Sequence, residues 1–239
     1  MELEKVTESN EAGPPTLPRR LYDDACGMAL ALELVGERWV PLILRELMFG
    51  PRRFGEIKRG LPGISANVLT QRLESLEANG VLIRRKLPPP ASVQVYELTD
   101  WGYESEVPLA ALGQWAVRSP LHDPRLPLSG ASLMMSFRTM IDRARAADID
   151  ARIGFRIGPD PFTARLHDGR LDIVRREAEH PDLSISTADA SLIAAVVYGG
   201  QPLAAMEAAG AIKVEGDHAL AERFVTLFPL PPKVDCPRA

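Results

Sequence analysis

The stretch Gly50–Lys86, "GPRRFGEIKRGLPGISANVLTQRLESLEANGVLIRRK", decides the fold of the first half of this 239-residue chain. Leu69, Leu73 and Leu76 recur at i, i+4 and i+7 and therefore share one face of a helix. A rotation of about 100° per residue puts Asn67, Gln71 and Ser75 on the opposite face. Ser65 stands where an N-cap accepts a bond from a free backbone N–H, and Gly80 where a left-handed residue closes the helix. Before it, Phe54 and Ile57 mark a shorter helix over roughly 53–59, and Pro62-Gly63 punctuates the turn between the two. A leucine stripe backed by short amide and hydroxyl side chains suits a helix that lies in a groove.

Outward from this pair the pattern continues in both directions. From Met28 to Phe49 apolar residues fall at helical spacing and Gly36 interrupts them, which predicts a short helix and then a second from about Arg38 to Gly50. Pro41 is tolerated there in a first turn. On the other side, "VLIRRKLPPPASVQVYELT" reads as two β-prone runs joined by a proline-rich tip, a hairpin. Helices followed by a hairpin make a winged helix-turn-helix. Thr99 is placed to cap one more helix bearing Leu109, Leu112, Trp115 and Val117, which Pro108 is expected to kink or break.

Charge singles out the same region. Residues 38–86 hold ten basic and four acidic side chains, a surplus of +6 in a chain whose formal charge is −4. A basic patch on an otherwise acidic protein points to a localised polyanion. For double-stranded DNA the chemistry asks for amides able to pair with adenine, which Asn67 and Gln71 supply, and for hydroxyls such as those of Thr70 and Ser75. Arg52, Arg53, Lys58, Arg59 and Arg72 are candidate phosphate contacts, the helix N-terminus at Ser65 is another, and Arg84, Arg85 and Lys86 add charge at the base of the wing.

The remaining chain reads differently. The first twenty residues, with three prolines and many polar side chains, are expected to form a mobile arm (1–20), and order is expected from residue 21. The winged unit is assigned to 21–118, a proline-rich linker to 119–128, an α+β unit to 129–232 and a tail to 233–239. In the α+β unit a helix is expected over Ser132–Ala147, then alternating runs in which Asp168-Gly169 signals a type I′ hairpin. Helix (190–197), helix (202–209), strand (211–214) and helix (219–228) follow. Strands grouped first and helices later give an α+β fold with helices on one face of a sheet.

Other chemistry finds little support. No phosphate loop, dinucleotide fingerprint, nucleophile elbow or H-E-x-x-H motif occurs, and His122, His167, His180 and His218 are scattered. No catalytic residues, metal or cofactor are therefore expected. Neither a signal peptide nor a membrane span is visible, so a cytoplasmic location is expected. Cys26 and Cys236 are too few and too far apart for a disulfide framework or a zinc site. Cys26 reads either as a small residue at a helix start or as a redox-reactive thiol.

From Cys26 to Trp115 the chain resembles the HxlR family of bacterial MarR-like winged-helix regulators. The resemblance is carried by Cys26, "GERW", "LRELMFGPRRFGEI", "LPGISANVLTQRLESLEANGVL" and "VYELTDWG". It implies a homodimer that reads a pseudo-palindromic operator, with residues 65–78 as the recognition helix and the helix near 108–117 in the dimer contact. It also suggests Cys26 as a candidate sensor of oxidants. The chain departs from the family pattern at Asn67, where a lysine is common, and in the proline-rich wing tip, which weighs against deep minor-groove contact.

From about 130 onward the chain resembles the sterol-carrier-protein-2-like fold through "DLSISTAD", "GGQPLAAMEAAGAIKVEGD" and the closing helix. That resemblance implies an apolar small-molecule effector site lined by Met134, Phe137, Phe155, Ile193, Val197, Met206, Phe224 and Phe228, any of which is equally suited to filling a core. The expected function is a sequence-specific transcriptional regulator, more readily a repressor, with an apolar-ligand sensor. The alternative is a lipid or apolar-molecule binding protein whose winged helix docks to another protein.

Overall fold

A computed structural model describes residues 22–235, which fall into two units that meet in sequence between Glu37 and Arg38. The arm assigned to 1–20 and the tail residue Cys236 lie outside the described residues. In the first unit, α1 (Gly27–Val35) begins after Cys26 and ends at Gly36, whose N–H donates to the Leu32 carbonyl at 2.9 Å. The Glu33 carboxylate accepts from the Tyr22 N–H, and the Asp24 carboxylate from the Cys26 N–H.

The second unit opens with Trp39 in the left-handed region (φ +86°), followed by α2 (Val40–Leu47), α3 (Phe54–Gly60) and α4 (Ala66–Ala78). Pro41 sits in the first turn of α2, where no intrahelical donor is lost. The three α4 leucines are fully buried, as their spacing requires. Ser65 Oγ accepts from the Val68 N–H at 3.2 Å, and Gly80, at φ +71°, follows the helix. The wing pairs β1 (Leu82–Lys86) with β2 (Gln94–Leu98) in antiparallel register. Arg52 adds an isolated antiparallel bridge to Tyr96 on the other edge of β2.

After the wing, Thr99 caps α5 (Asp100–Glu104), and the chain breaks at Ser105 before α6 (Glu106–Ala116). The break precedes Pro108, which thereby falls in the first turn of α6 and disturbs no helical bond.

Next come α7 (Gly130–Met140), β3 (Ala151–Ile157), β4 (Asp160–His167), β5 (Arg170–Val174) and β6 (Leu183–Thr187), then α8 (Ala190–Val197), α9 (Leu203–Ala208), β7 (Ile212–Gly216) and α10 (His218–Phe224). The five strands lie in the order β5-β4-β3-β6-β7, with only β3 and β6 parallel. Asp168 and Gly169, both at positive φ, close the β4–β5 hairpin. The α7 helix is shorter than the expected 132–147. Ile141 turns extended, and the Asp142 N–H leaves the helix to donate to the Leu227 carbonyl at 2.7 Å.

Helix α7 packs against both α2 and α6, so the winged unit and the sheet unit share a packed seam. At its centre the buried Glu46 carboxylate accepts from Arg52 Nη1 at 2.6 Å and from Ser129 Oγ at 2.5 Å. Arg52 Nη2 donates to both oxygens of Asp160, at 2.9 and 2.8 Å. Around this polar centre Phe49 meets Phe162 edge-on, the Arg175 N–H donates to the Phe49 carbonyl at 2.9 Å, and Arg138 pairs with Glu106 at 2.7 Å. The 119–128 segment is held as well: Lys233 Nζ donates to the Val117 and Ser119 carbonyls at 2.9 and 3.0 Å.

Candidate nucleic-acid interface

The site is built on α4. Its leucine face is buried against the winged unit, and on the opposite face Asn67, Thr70, Gln71 and Ser75 are all exposed, as is Ser65 at its start. An exposed helix N-terminus carries free N–H donors and the positive end of the helix dipole, both suited to a phosphate. Glu74 shares the exposed face. An acidic side chain carries no signal for a polyanion partner in the sequence, yet a carboxylate there can accept from a cytosine amino group.

The cations sort into three environments. Arg53, Lys58, Arg59 and Lys86 are exposed, and the Arg53 N–H is capped by the Glu56 carboxylate at 2.9 Å. Arg72 is half-buried on α4. At the wing base Arg84 pairs with Glu77 at 2.8 Å and lies over the Tyr96 ring, and Arg85 pairs with Glu97. The hydrogen bond and charge of Glu97 raise the pKa of Arg85 further above its ordinary value. These pairs are exposed or partly so, and exchanging such partners for phosphate costs about 1 kcal/mol or less.

Arg52 corrects the expectation. Its side chain is 1 % exposed and spans Glu46 and Asp160 in the seam, so it holds the fold and does not reach a phosphate. The physical reason is its bridge to Tyr96, which fixes the side chain inward while its neighbour Arg53 is exposed. Arg175, which sequence reading did not single out, stands beside it. Burial, and then the charge of Arg52, pull its pKa down to about 10, so it remains a cation at neutral pH.

The residues expected as apolar lining lie largely inside the sheet unit. Met134, Phe137, Phe155, Ile193, Phe224 and Phe228 are buried. Phe137 stacks on Phe228 with ring centroids 4.3 Å apart, and Phe224 meets both edge-on at 5.5 and 4.9 Å. These rings fill the space between helices and sheet, and interlocked aromatic packing of this kind is core. Val197 and Met206 are half-buried on α8 and α9. Cys26 is an exposed free thiol. Among the described residues, no group of three or more His, Cys, Asp or Glu is placed to hold a metal, and no helix is long and apolar enough to cross a membrane.

A family model described as HxlR-like helix-turn-helix matches residues 34–122. The chain is 39% identical over 87 residues to an uncharacterized HTH-type transcriptional regulator, YvaP of Bacillus subtilis, spanning 36% of this chain and 80% of the relative. The chain belongs to the HxlR-like helix-turn-helix family. It is a helix-turn-helix transcriptional regulator of mixed helix and sheet, and α4 lies within the matched residues. Similarity extends to the HTH-type transcriptional regulator YodB of the same organism, 38% identical over 89 residues, 37% of this chain and 80% of the relative. The solved reduced form of YodB is 35% identical, covers 41% of this chain and 98% of that chain, and has a TM-score of 0.38. A model of the SCP-2 sterol transfer family matches residues 110–229, which include α7 and the whole five-stranded sheet.

Proposed function

We propose that this HxlR-like chain is a cytoplasmic homodimeric repressor that reads a pseudo-palindromic operator through α4 and answers to an apolar effector. The observation that carries the reading is the exposed face of Asn67, Thr70, Gln71 and Ser75, backed by fully buried leucines and flanked by exposed Arg53, Lys58 and Arg59. Asn67 and Gln71 make paired bonds to base edges, Thr70 and Ser75 add hydroxyl contacts, and Ser65, Arg53, Lys58, Arg59, Arg72, Arg84, Arg85 and Lys86 hold phosphates. Residues 21–118 form the DNA-binding and dimerisation domain, 119–128 the linker and 129–232 the effector domain.

Support for a dimer comes from α6, where no residue is buried and Val107 and Trp115 are 75 % and 72 % exposed. Large apolar side chains on one helix are covered in a stable assembly. Two α4 helices then enter successive major grooves about 34 Å apart, and the effector, or oxidation of the exposed Cys26, shifts that spacing.

Selection of duplexes from a randomised pool at about 0.15 M salt tests the reading, since non-specific attraction is then partly screened. An enriched inverted repeat with half-sites one turn apart is expected. Weak, purely salt-dependent binding with no enriched sequence would overturn it.

A further inference from the structure

Open apolar space lies at the seam. A cavity of about 410 Å³ is walled by Leu42 of α2, Leu109 and Leu112 of α6, and Met135 and Met140 of α7. That volume is within the range of sites that enclose small ligands, about 300–1,000 Å³. A second cavity of about 490 Å³ adjoins it and shares Leu42, Arg45, Leu128 and Ser132 with it. The second chamber is more polar, with Arg59 and Asp189 in its wall.

Arg45 stands where the two chambers meet. Its side chain is 23 % exposed, one Nη donates to Glu46 at 3.2 Å, and its buried Nε has no hydrogen-bond partner among the described residues. The seam around it holds the guanidinium groups of Arg45, Arg52 and Arg175 together with the carboxylates of Glu46, Asp160 and Glu56. A partly buried guanidinium with an unused donor at the mouth of an apolar chamber favours an anionic group.

We propose that the seam binds an apolar molecule ending in an anionic group, its apolar body in the chamber between α2, α6 and α7 and its anion on Arg45. This rests on the effector reading above and moves the effector from the core of the sheet unit to the seam. The location also couples the site to DNA. Arg59, a proposed phosphate contact, lines the polar chamber, so an anion seated there competes with phosphate for it.

The test uses the full chain and cis-parinaric acid, whose polyene fluoresces in apolar surroundings, beside its uncharged methyl ester. The acid is expected to bind about tenfold or more tighter than the ester, the worth of one charge-assisted hydrogen bond. Arg45→Met erases that preference, so that acid and ester bind alike. Gly113→Leu, where an added Cβ meets nothing within 4 Å, fills the chamber from α6 and weakens both probes. Ser132→Phe does the same from α7 and serves as the second block should either variant fail to fold.

Equal binding of acid and ester, or an unaltered preference in Arg45→Met, overturns the proposal. So does Gly113→Leu that weakens self-association in sedimentation but leaves parinarate binding untouched, because a second copy would then occupy the chamber. Parinarate binding that leaves the affinity for a selected duplex unchanged would keep the site and defeat the sensor reading.

Discussion

Replacing Arg52 by methionine separates a structural arginine from a DNA contact. The change removes one bond to a fully buried Glu46 carboxylate, at 2.6 Å, and two to Asp160, whose side chain is 20 % exposed. Two unit charges about 4 Å apart at an effective dielectric of about 20 interact by about 4 kcal/mol. Removing one partner of a buried pair costs about 3–5 kcal/mol, mostly because the other charge stays buried. Glu46 keeps Arg45 at 3.2 Å and Ser129 at 2.5 Å, and Asp160 keeps water, which places Arg52→Met near the lower end, about 3 kcal/mol.

In urea, at a slope of about 2 kcal/mol per molar, that loss moves the midpoint down by about 1.5 M. The double variant Glu46→Met/Arg52→Met should recover part of it, since the buried carboxylate leaves with its partner. Exposed Arg59→Ala is the contrast: stability within about 0.5 kcal/mol, and DNA affinity reduced on every sequence with the salt slope lowered by about 1. An Arg52→Met protein with wild-type urea stability and the Arg59→Ala pattern on DNA would refute the reasoning and return Arg52 to the phosphate contacts.

Three further outcomes are expected. Gln71→Ala should relax discrimination at one or two base pairs by about 1–3 kcal/mol in a repeated duplex selection, whereas a uniform loss on all sequences would show that α4 reads DNA by another face. Phe224→Ala, in the middle of the aromatic cluster, should lower stability by about 3–5 kcal/mol in chemical denaturation, and a change near zero would mean that the rings line an adjustable space. In an NMR titration His122 should have a midpoint below 6.5, held down by burial and then by the Lys233 ammonium, and His167 one above it, held up by hydrogen bonds to Asp172 and Asp168. The His122 contribution to stability is full above pH 6.5 and is lost as pH falls through its folded midpoint; the His167 contribution is full below pH 6.5 and is lost as pH rises through its folded midpoint.

What was legible in the sequence was local. Spacing of Leu69, Leu73 and Leu76, the cap at Ser65 and the Asp168-Gly169 turn each depend on a few neighbouring residues, and each appears in the structure at those positions. Arg52 and Arg53 are identical neighbours, and no local rule distinguishes them. Their difference comes from strand geometry, which sends successive side chains to opposite sides, and from a carboxylate 108 residues away that makes the inward side habitable for a cation. The phenylalanines posed the same problem in apolar form, since residues that line a tunnel and residues that close it have one periodicity and one hydrophobicity. Only the approach of α7, α10 and the residues after it brings Phe137, Phe224 and Phe228 within ring contact. The proposed effector site lies at the seam. The charge withdrawn from the DNA face stands there as Arg52 beside Arg45 and Arg175, and an apolar cavity opens between α2, α6 and α7. A signal generated at that seam has no flexible tether to cross, because the residues that would hold the effector stand on the helix that leads into the helix-turn-helix.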